Sequence, residues 1–351
     1  MGKYIIRRIL QAIPLLLIIA VLTFVLLKTV GDPLQYLTED PRVSEEERFR
    51  LRAVLGLNDP LPLQFVTWLI GDDWYLRDLD GDGQGDVYGE RLGVLRGDFG
   101  NSYRVRNKAA IELIAQKLPN TLLLGITVYV VTITVSLAVG MFAALRPYTL
   151  ADNIITAITF VTFSMPIYLV ALVVIYIFAV QFRLAHDAGA SWLPYLPVQG
   201  MRPVRGATGS LAELAWHMIL PVFSLSAISI AGYSRFIRAS MLEVISSDYI
   251  RTAQAKGLPN RRITFLHALK NASLPLVTLI GLDVPFILSG AVVTEQIFSW
   301  DGMGLLFIQS LGALDAPVLI LFTMMTAIAV VVMQLVTDVA YAWLDPRVRL
   351  S

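Results

Sequence analysis

The sequence has no cysteine. That absence excludes a disulfide, a thiol nucleophile, a c-type haem attachment and cysteine-ligated zinc, and it leaves the chain indifferent to redox conditions. Charge is also scarce: 16% of the 351 residues are Asp, Glu, Lys or Arg, against 56% hydrophobic, and the formal net charge is +1. A soluble domain of this length carries more polar surface than that, so the composition is that of a membrane protein. No run of lysine and arginine is dense enough to neutralise a row of phosphates, which excludes nucleic acid as a partner. The three histidines, His186, His217 and His267, fall in separate segments, and His217 reads as an interfacial or capping group. There is no G-x-x-x-x-G-K-[ST] phosphate loop, no G-x-S-x-G and no H-E-x-x-H. The chain is not read as an enzyme, and ATP, if it is used, is hydrolysed by another subunit.

What the sequence does have is long apolar runs. Roughly 20 residues cross a hydrocarbon core, and six runs qualify, at about 9–27, 122–145, 154–182, 216–237, 276–297 and 318–341. The expectation is an all-α membrane protein with six transmembrane helices and both termini on one side. Lys3, Arg7 and Arg8 precede the first run, Arg146 follows the second, Arg235 and Arg238 close the fourth, and Arg347 and Arg349 close the chain. Positive charge marks these ends as cytoplasmic. The first run reads as a retained span rather than a signal peptide, being near full length with no small-x-small cleavage site after it. The chain then divides into a cytoplasmic end and first helix (1–29), an extended external segment between helices 1 and 2 (30–118), and a transmembrane core (119–351) with a cytoplasmic loop at 239–274.

Within the external segment, Ser44-x-x-Glu47 has the capping-box pattern and predicts a helix that stops at Gly56. An acidic, glycine-rich loop follows over 78–90. Asp78, Asp80, Asp82 and Asp86 stand at positions 1, 3, 5 and 9 of an EF-hand-like pattern, Gly83 at 6, and Gln84 offers its backbone carbonyl at 7. Position 12 is Gly89, with Glu90 one residue late, so the bidentate carboxylate is missing. Two readings stay open: a structural calcium ion, or a solvated acidic loop.

Ionisable residues inside spans are costly unless they face protein, water or a partner. Asp283, between Gly281 and Pro285, and Glu295, near the outer end of the same run, are candidates for a translocation path. The alternative has Asp283 bonded to a neighbouring helix and Glu295 reaching the interface. Ser224, Ser226 and Ser229 fit either a packing face or a polar wall. Met165-Pro166 and Pro221 predict kinks.

The polar stretch 243–275 stands between apolar runs. Ser247 or Asp248 can cap a short helix over 249–256, Gly257 suits the left-handed residue past its end, Pro259 blocks continuation, and Asn260 can cap a second helix. At ~1.5 Å per residue the first of these is about 12 Å long, too short to persist alone in water. Tyr249, Arg251 and Lys256 supply an anchor and charge, while small Ala253 and Ala255 leave the backbone approachable. Spacing alone fits an ordinary loop as well as a docking element.

Ala253-x-Ala255-Lys256-Gly257-Leu258, followed by His267-Ala268-Leu269-x-Asn271-Ala272-x-x-Pro275, resembles the "EAA" loop of binding-protein-dependent ABC-importer permeases. Tyr4-x-x-Arg7-Arg8, Gly97-Asp98-Phe99-Gly100-x-Ser102-Tyr103 and Gly290-Ala291-Val292-Val293-x-Glu295-x-x-Phe298-Ser299-Trp300-x-Gly302-x-Gly304 are similar to the dipeptide/oligopeptide/nickel branch, and they occur in family order. The resemblance implies the type I importer permease fold in the inner membrane of a prokaryote. It implies a coupling helix that docks on an ATPase through Asp248, Tyr249, Arg251, Thr252, Ala253, Ala255, Lys256 and Gly257. It further implies a second homologous permease subunit, two cytoplasmic ATPase subunits or one homodimer, an external substrate-binding protein, and import of di- or oligopeptides. Nickel chelates and oligosaccharides are rival cargoes. A secondary transporter driven by an ion gradient, with Asp283 and Glu295 as its ion sites, is the reading from a different class.

Overall fold

The computed structural model describes residues 2–31, 44–105, 108–203, 209–273, 276, 279, 281, 283 and 292–344. Among these, β structure is confined to a short hairpin, β1 (Leu76–Arg77) antiparallel to β2 (Val87–Tyr88), and a bridge between Asn101 and Ala109. Five helices are long and apolar enough to cross a membrane: Ile5–Leu27, Ala110–Leu145, Ile167–Asp187, Leu211–Ile245 and Ala316–Val339. The expected run at 276–297 lies largely outside the described residues.

The expected third run is not one helix. It is cut into α5 (Leu150–Ser164) and α6 (Ile167–Ile175), numbered after α1 to α4 below. Pro166 lacks an N–H and pushes its predecessor out of the helical region, and Met165 is extended at φ −84°, ψ 136°. The second piece recovers full spanning length by running through a widened turn, Tyr176–Gln181, into α7 (Phe182–Asp187).

Contacts divide the chain into two compact units. The first comprises Met1–Lys117 and Leu306–Val331. Here α1 (Gly2–Val30) is followed by α2 (Glu45–Val54) and α3 (Leu61–Ile70). The capping box forms as expected: the Ser44 hydroxyl accepts the Glu47 amide at 3.2 Å. Phe24, Leu27, Leu319 and Ile320 make a core against Phe65 and Trp68, with Phe24 and Phe65 edge to face at 5.6 Å. Three loops converge on a buried ion cluster. Arg77, 5% exposed, binds Asp72 at 2.6 Å, Asp59 at 3.2 Å and the Ala53 carbonyl at 2.8 Å, while Arg91 binds Asp72 at 2.8 Å. Burial alone would raise the Asp72 carboxyl, but the Arg91 charge and the hydrogen bonds from Arg77 and Arg91 outweigh it and hold it below the usual range. Ser102 bonds to the Asp315 carboxylate, and the Tyr103 amide donates to the same group at 3.0 Å.

The second unit comprises Leu118–Leu305 and Val332–Ser351. It contains most of α4 (Ala110–Leu145), then α5, α6, α7 and α8 (Leu211–Ile245). Next come α9 (Asp248–Ala255) and α10 (Asn260–Arg262), which continues as a widened helix over Ile263–Leu269, then α11 (Val292–Ile297). The start of α12 (Met303–Gly312) and the end of α13 (Ala316–Leu344) complete it. Helices α5 and α6 both pack on α8, and Arg238 of α8 grips Asp152 of α5 through two bonds of 2.6 and 2.7 Å.

Glu295 is fully buried, neither at the interface nor on an open wall as expected from the sequence. Its Oε1 accepts the Thr121 hydroxyl at 2.8 Å, and Oε2 accepts the amides of Gly304 at 2.7 Å and Leu305 at 3.1 Å. A carboxylate thus caps the first turn of α12, where N–H groups lack helical partners. Thr121 also accepts the Met303 amide at 2.7 Å, and buried Trp300 donates to the Asn120 carbonyl at 3.0 Å. Glycine is required at 302, since a Cβ there would lie 2.4 Å from the Glu295 carboxylate.

Two stability outcomes follow. Glu295→Ala, which strands a hydroxyl and two buried amides, should cost roughly 2–4 kcal/mol and lower the melting temperature of the purified protein, with Glu295→Gln milder. Arg77→Ala should expose the segment 44–105 to protease at neutral pH, since removing one partner of a buried pair costs about 3–5 kcal/mol. Because the folded Asp72 pKa is depressed, its stabilising contribution is complete above the unfolded value near 3.9 and is lost as pH falls through the folded one. The wild-type segment should therefore resist proteolysis down to about pH 4 and loosen only below it, measured with an acid-tolerant protease.

Candidate functional site

The short helix of the polar stretch forms one residue earlier than expected, as Asp248–Ala255. Ser247 is its N-cap residue but does not cap with its side chain; its hydroxyl instead donates back to the Val244 carbonyl. Lys256 closes the helix and Gly257 turns with φ +74°, in the left-handed region where a Cβ is penalised. The next helix is capped by Pro259, with Asn260 its first residue rather than its cap.

One face of α9 is rooted. Ile250, 1% exposed, and Ala253 pack in a cluster with Ile237 and Met241 of α8 and with Ile263, Ala268 and Ala272 of the following helix. Ala253 therefore faces its own unit, contrary to the expectation that it leaves backbone open for docking. The other face is free: Asp248, Tyr249, Arg251, Thr252, Ala255, Lys256 and Gly257 are all exposed. Tyr249 is held there by Asn271, whose amide donates to the phenol oxygen at 3.0 Å, and Arg251 lies 3.7 Å from Asp248 in an exposed pair, of the kind that contributes little. Sequence reasoning passed over Ile250 as the anchor. The signal was present, an isolated apolar pair at i and i+3 on an otherwise polar helix.

Asp283 is half-buried and accepts a hydrogen bond from Tyr233 of α8, with Tyr129 of α4 beside the pair. The neighbouring-helix partner expected for it is thus a phenol. Ser224 and Ser226 are buried and donate to Leu220 and Phe223 carbonyls of their own helix. His217 Nδ1 lies 2.9 Å from the Gly200 carbonyl and His186 Nδ1 3.1 Å from that of Leu193, both structural contacts.

In the acidic loop, carboxylate oxygens of Asp78, Asp80 and Asp86 lie within 4.8 Å of one another, while Asp82 stands outside that group. The loop's own amides already hold these acids: Asp78 accepts from Gly81 at 2.6 Å and Gly83 at 2.9 Å, and Asp86 from Leu79 at 2.8 Å. The Gly81 amide foremost keeps the Asp78 carboxyl below its ordinary range. Hard oxygen donors of this kind suit calcium, but one of the four expected carboxylates, that of Asp82, is outside the group.

Comparison with known proteins agrees along the whole chain. A family described as "Binding-protein-dependent transport system inner membrane component" matches residues 136–350, and its N-terminal counterpart matches residues 1–125. The oligopeptide transport system permease protein AppB of Bacillus subtilis is 36% identical over 350 residues, covering 99% of this chain and 100% of the relative. The dipeptide transport system permease protein DppB of Escherichia coli K12 is 33% identical over 359 residues, 99% of each chain, and the di/tripeptide permease DppB of Pseudomonas aeruginosa is 32% identical over 356. With five long apolar helices among the described residues and relatives matched over their full length, the chain belongs to the inner-membrane components of binding-protein-dependent transport systems and is a multi-pass membrane protein.

Proposed function

We propose that this chain is a permease subunit of an ATP-driven importer of di- or oligopeptides, with both termini in the cytoplasm and α9 as the element through which ATP hydrolysis drives it. The observation that carries the coupling role is the division of α9 into one face locked by Ile250 and Ala253 and another that leaves seven of the eight expected docking residues exposed. A helix too short to stand alone, fixed along one side, transmits displacement as a rigid lever. The partners of this reading are a second permease subunit, two cytoplasmic ATPase subunits or one homodimer, and an external substrate-binding protein. When the ATPase pair closes, α9 is pushed, α8 and its neighbours tilt, and the path changes the side it faces. The cargo is supported by relatives named for oligopeptides, dipeptides and di/tripeptides. Asp283 is the proposed polar group of the path, half-exposed beside Tyr233. Glu295 is spent on a helix cap, which weighs against an ion site there. Calcium on Asp78, Asp80 and Asp86 is a separate structural proposal, tested by comparing cleavage of the loop with and without chelator.

Uptake by the reconstituted complex tests the reading. Labelled dipeptide should accumulate only with ATP and binding protein, in preference to a nickel chelate or an oligosaccharide; accumulation under an ion gradient alone would overturn it. Gly257→Val forces a side chain into a left-handed turn with open space around it, a strain of about 1–2 kcal/mol. It should leave the complex folded and hydrolysing ATP while peptide uptake falls. Ile250→Ala, which opens a cavity under the lever at a cost of roughly 2–5 kcal/mol, should reduce both uptake and thermal stability. Equal uptake by both variants and wild type would remove α9 from the mechanism.

A further inference from the structure

A cavity of about 550 Å³ in the first unit has no part in the coupling reading. It lies at one boundary of the membrane. Its floor is Phe24 and Leu27, at the end of the span Ile5–Leu27, with Ala316, Pro317 and Ile320, at the start of the span Ala316–Val339. Trp68 flanks this floor, and polar walls rise from it through Arg50, Gln64, Glu90 and Arg91. A volume of this size, apolar at one end with a few convergent polar groups, is typical of a ligand site.

The charges of the walls separate into spent and free. Arg77 is consumed by Asp72, Asp59 and the Ala53 carbonyl, and Arg91 turns Nε and one terminal nitrogen to Asp72. Two carboxylates therefore face two guanidinium groups, and that cluster is neutral. Asp98 is engaged by the amides of Leu92 and Gly100. Arg50 and Glu90 remain, exposed, with no hydrogen bond or ion pair among the described residues. Arg91 has a second terminal nitrogen to offer, its side chain being 32% exposed. One free cation and one free carboxylate above an apolar floor are complementary to a zwitterion with an apolar tail.

We propose that this cavity binds the headgroup of a phosphatidylethanolamine-type lipid. Its phosphate sits on Arg50 with help from Arg91, its primary ammonium on Glu90, and the first methylenes of its chains on Phe24, Leu27 and Ile320. A short peptide carries the same two charges. The floor favours the lipid, because it is built from the ends of two spanning helices, and Leu22 and Leu26 at the same end of α1 are 62% and 61% exposed, giving the chains an apolar surface on which to continue into the bilayer. The cavity admits a headgroup and the start of its chains, and the rest of the lipid stays in the membrane.

The test uses the purified complex, delipidated in detergent, and native mass spectrometry of bound short-chain phosphatidylethanolamine, phosphatidylcholine and phosphatidylglycerol, with inorganic phosphate and dialanine as competitors. Phosphatidylethanolamine should bind about tenfold more tightly than phosphatidylcholine, whose quaternary nitrogen has no N–H for Glu90. Glu90→Gln should abolish that preference. Arg50→Ala should weaken phosphatidylethanolamine and phosphatidylglycerol together by about tenfold, with Arg50→Lys recovering part of the loss. Unchanged ATP hydrolysis in each variant checks the fold, since neither side chain belongs to the coupling face. Equal binding of the two zwitterionic lipids, or indifference to both variants, overturns the proposal. Displacement by dialanine at equal concentration overturns it in favour of a peptide site, and displacement by phosphate in favour of a simple anion site.

Discussion

Inside a bilayer no water is available to take a backbone N–H or C=O released from a helix, so every interruption of a spanning segment needs a local partner. The molecule meets this constraint differently at each break. At Pro166 the chain leaves α5 with the Met165 amide on the Thr162 carbonyl at 3.3 Å and restarts with the Leu169 amide on the Pro166 carbonyl at 3.0 Å. Over Tyr176–Gln181 the helix widens instead of stopping. Before α12, where the chain turns sharply around Trp300, a buried carboxylate receives the freed amides. Several hydroxyls in spans are satisfied within their own helix: Ser224, Thr323, Thr326 and Thr337 each bond to a carbonyl four residues earlier.

This solution has a functional side. A transporter must keep its spans intact while they tilt, and contacts satisfied within a helix or between immediate neighbours survive such motion. Helix α9 is built the opposite way. Its persistence depends on the cluster of Ile237, Met241, Ile250, Ile263 and Ala268, so its position is tied to α8 and to the segment after it. Under the proposed coupling role, rigidity at that junction would let the polar face serve as a handle.

Much of this was legible in the residues. Apolar run length located four of the six expected spans, with the third cut at Pro166 and the fifth largely outside the described residues, and Ser44, Gly56, Gly257 and Pro259 marked helix ends where physics leaves few choices. The exposed face of α9 was legible because polar residues on a short, well-punctuated helix have nowhere to go but outward. What escaped reading were pairings between separate segments: Asp152 with Arg238, Asp72 with Arg91, Tyr233 with Asp283. Nothing in local spacing reports a partner 50 or 86 residues away. Ala253 was misjudged because smallness fits both close docking and close packing, and only the positions of Met241 and Ala268 decide between them. Glu295 was misjudged because a carboxylate near a span end reads as solvated, whereas here the fold brings amide donors to it.

The pairing of Arg238 with Asp152 has one more consequence. It bolts the start of α5 to the last third of α8, the helix that leads into α9. The two rods are thereby braced as one, and the break at Pro166 is left as the joint between that braced pair and α6.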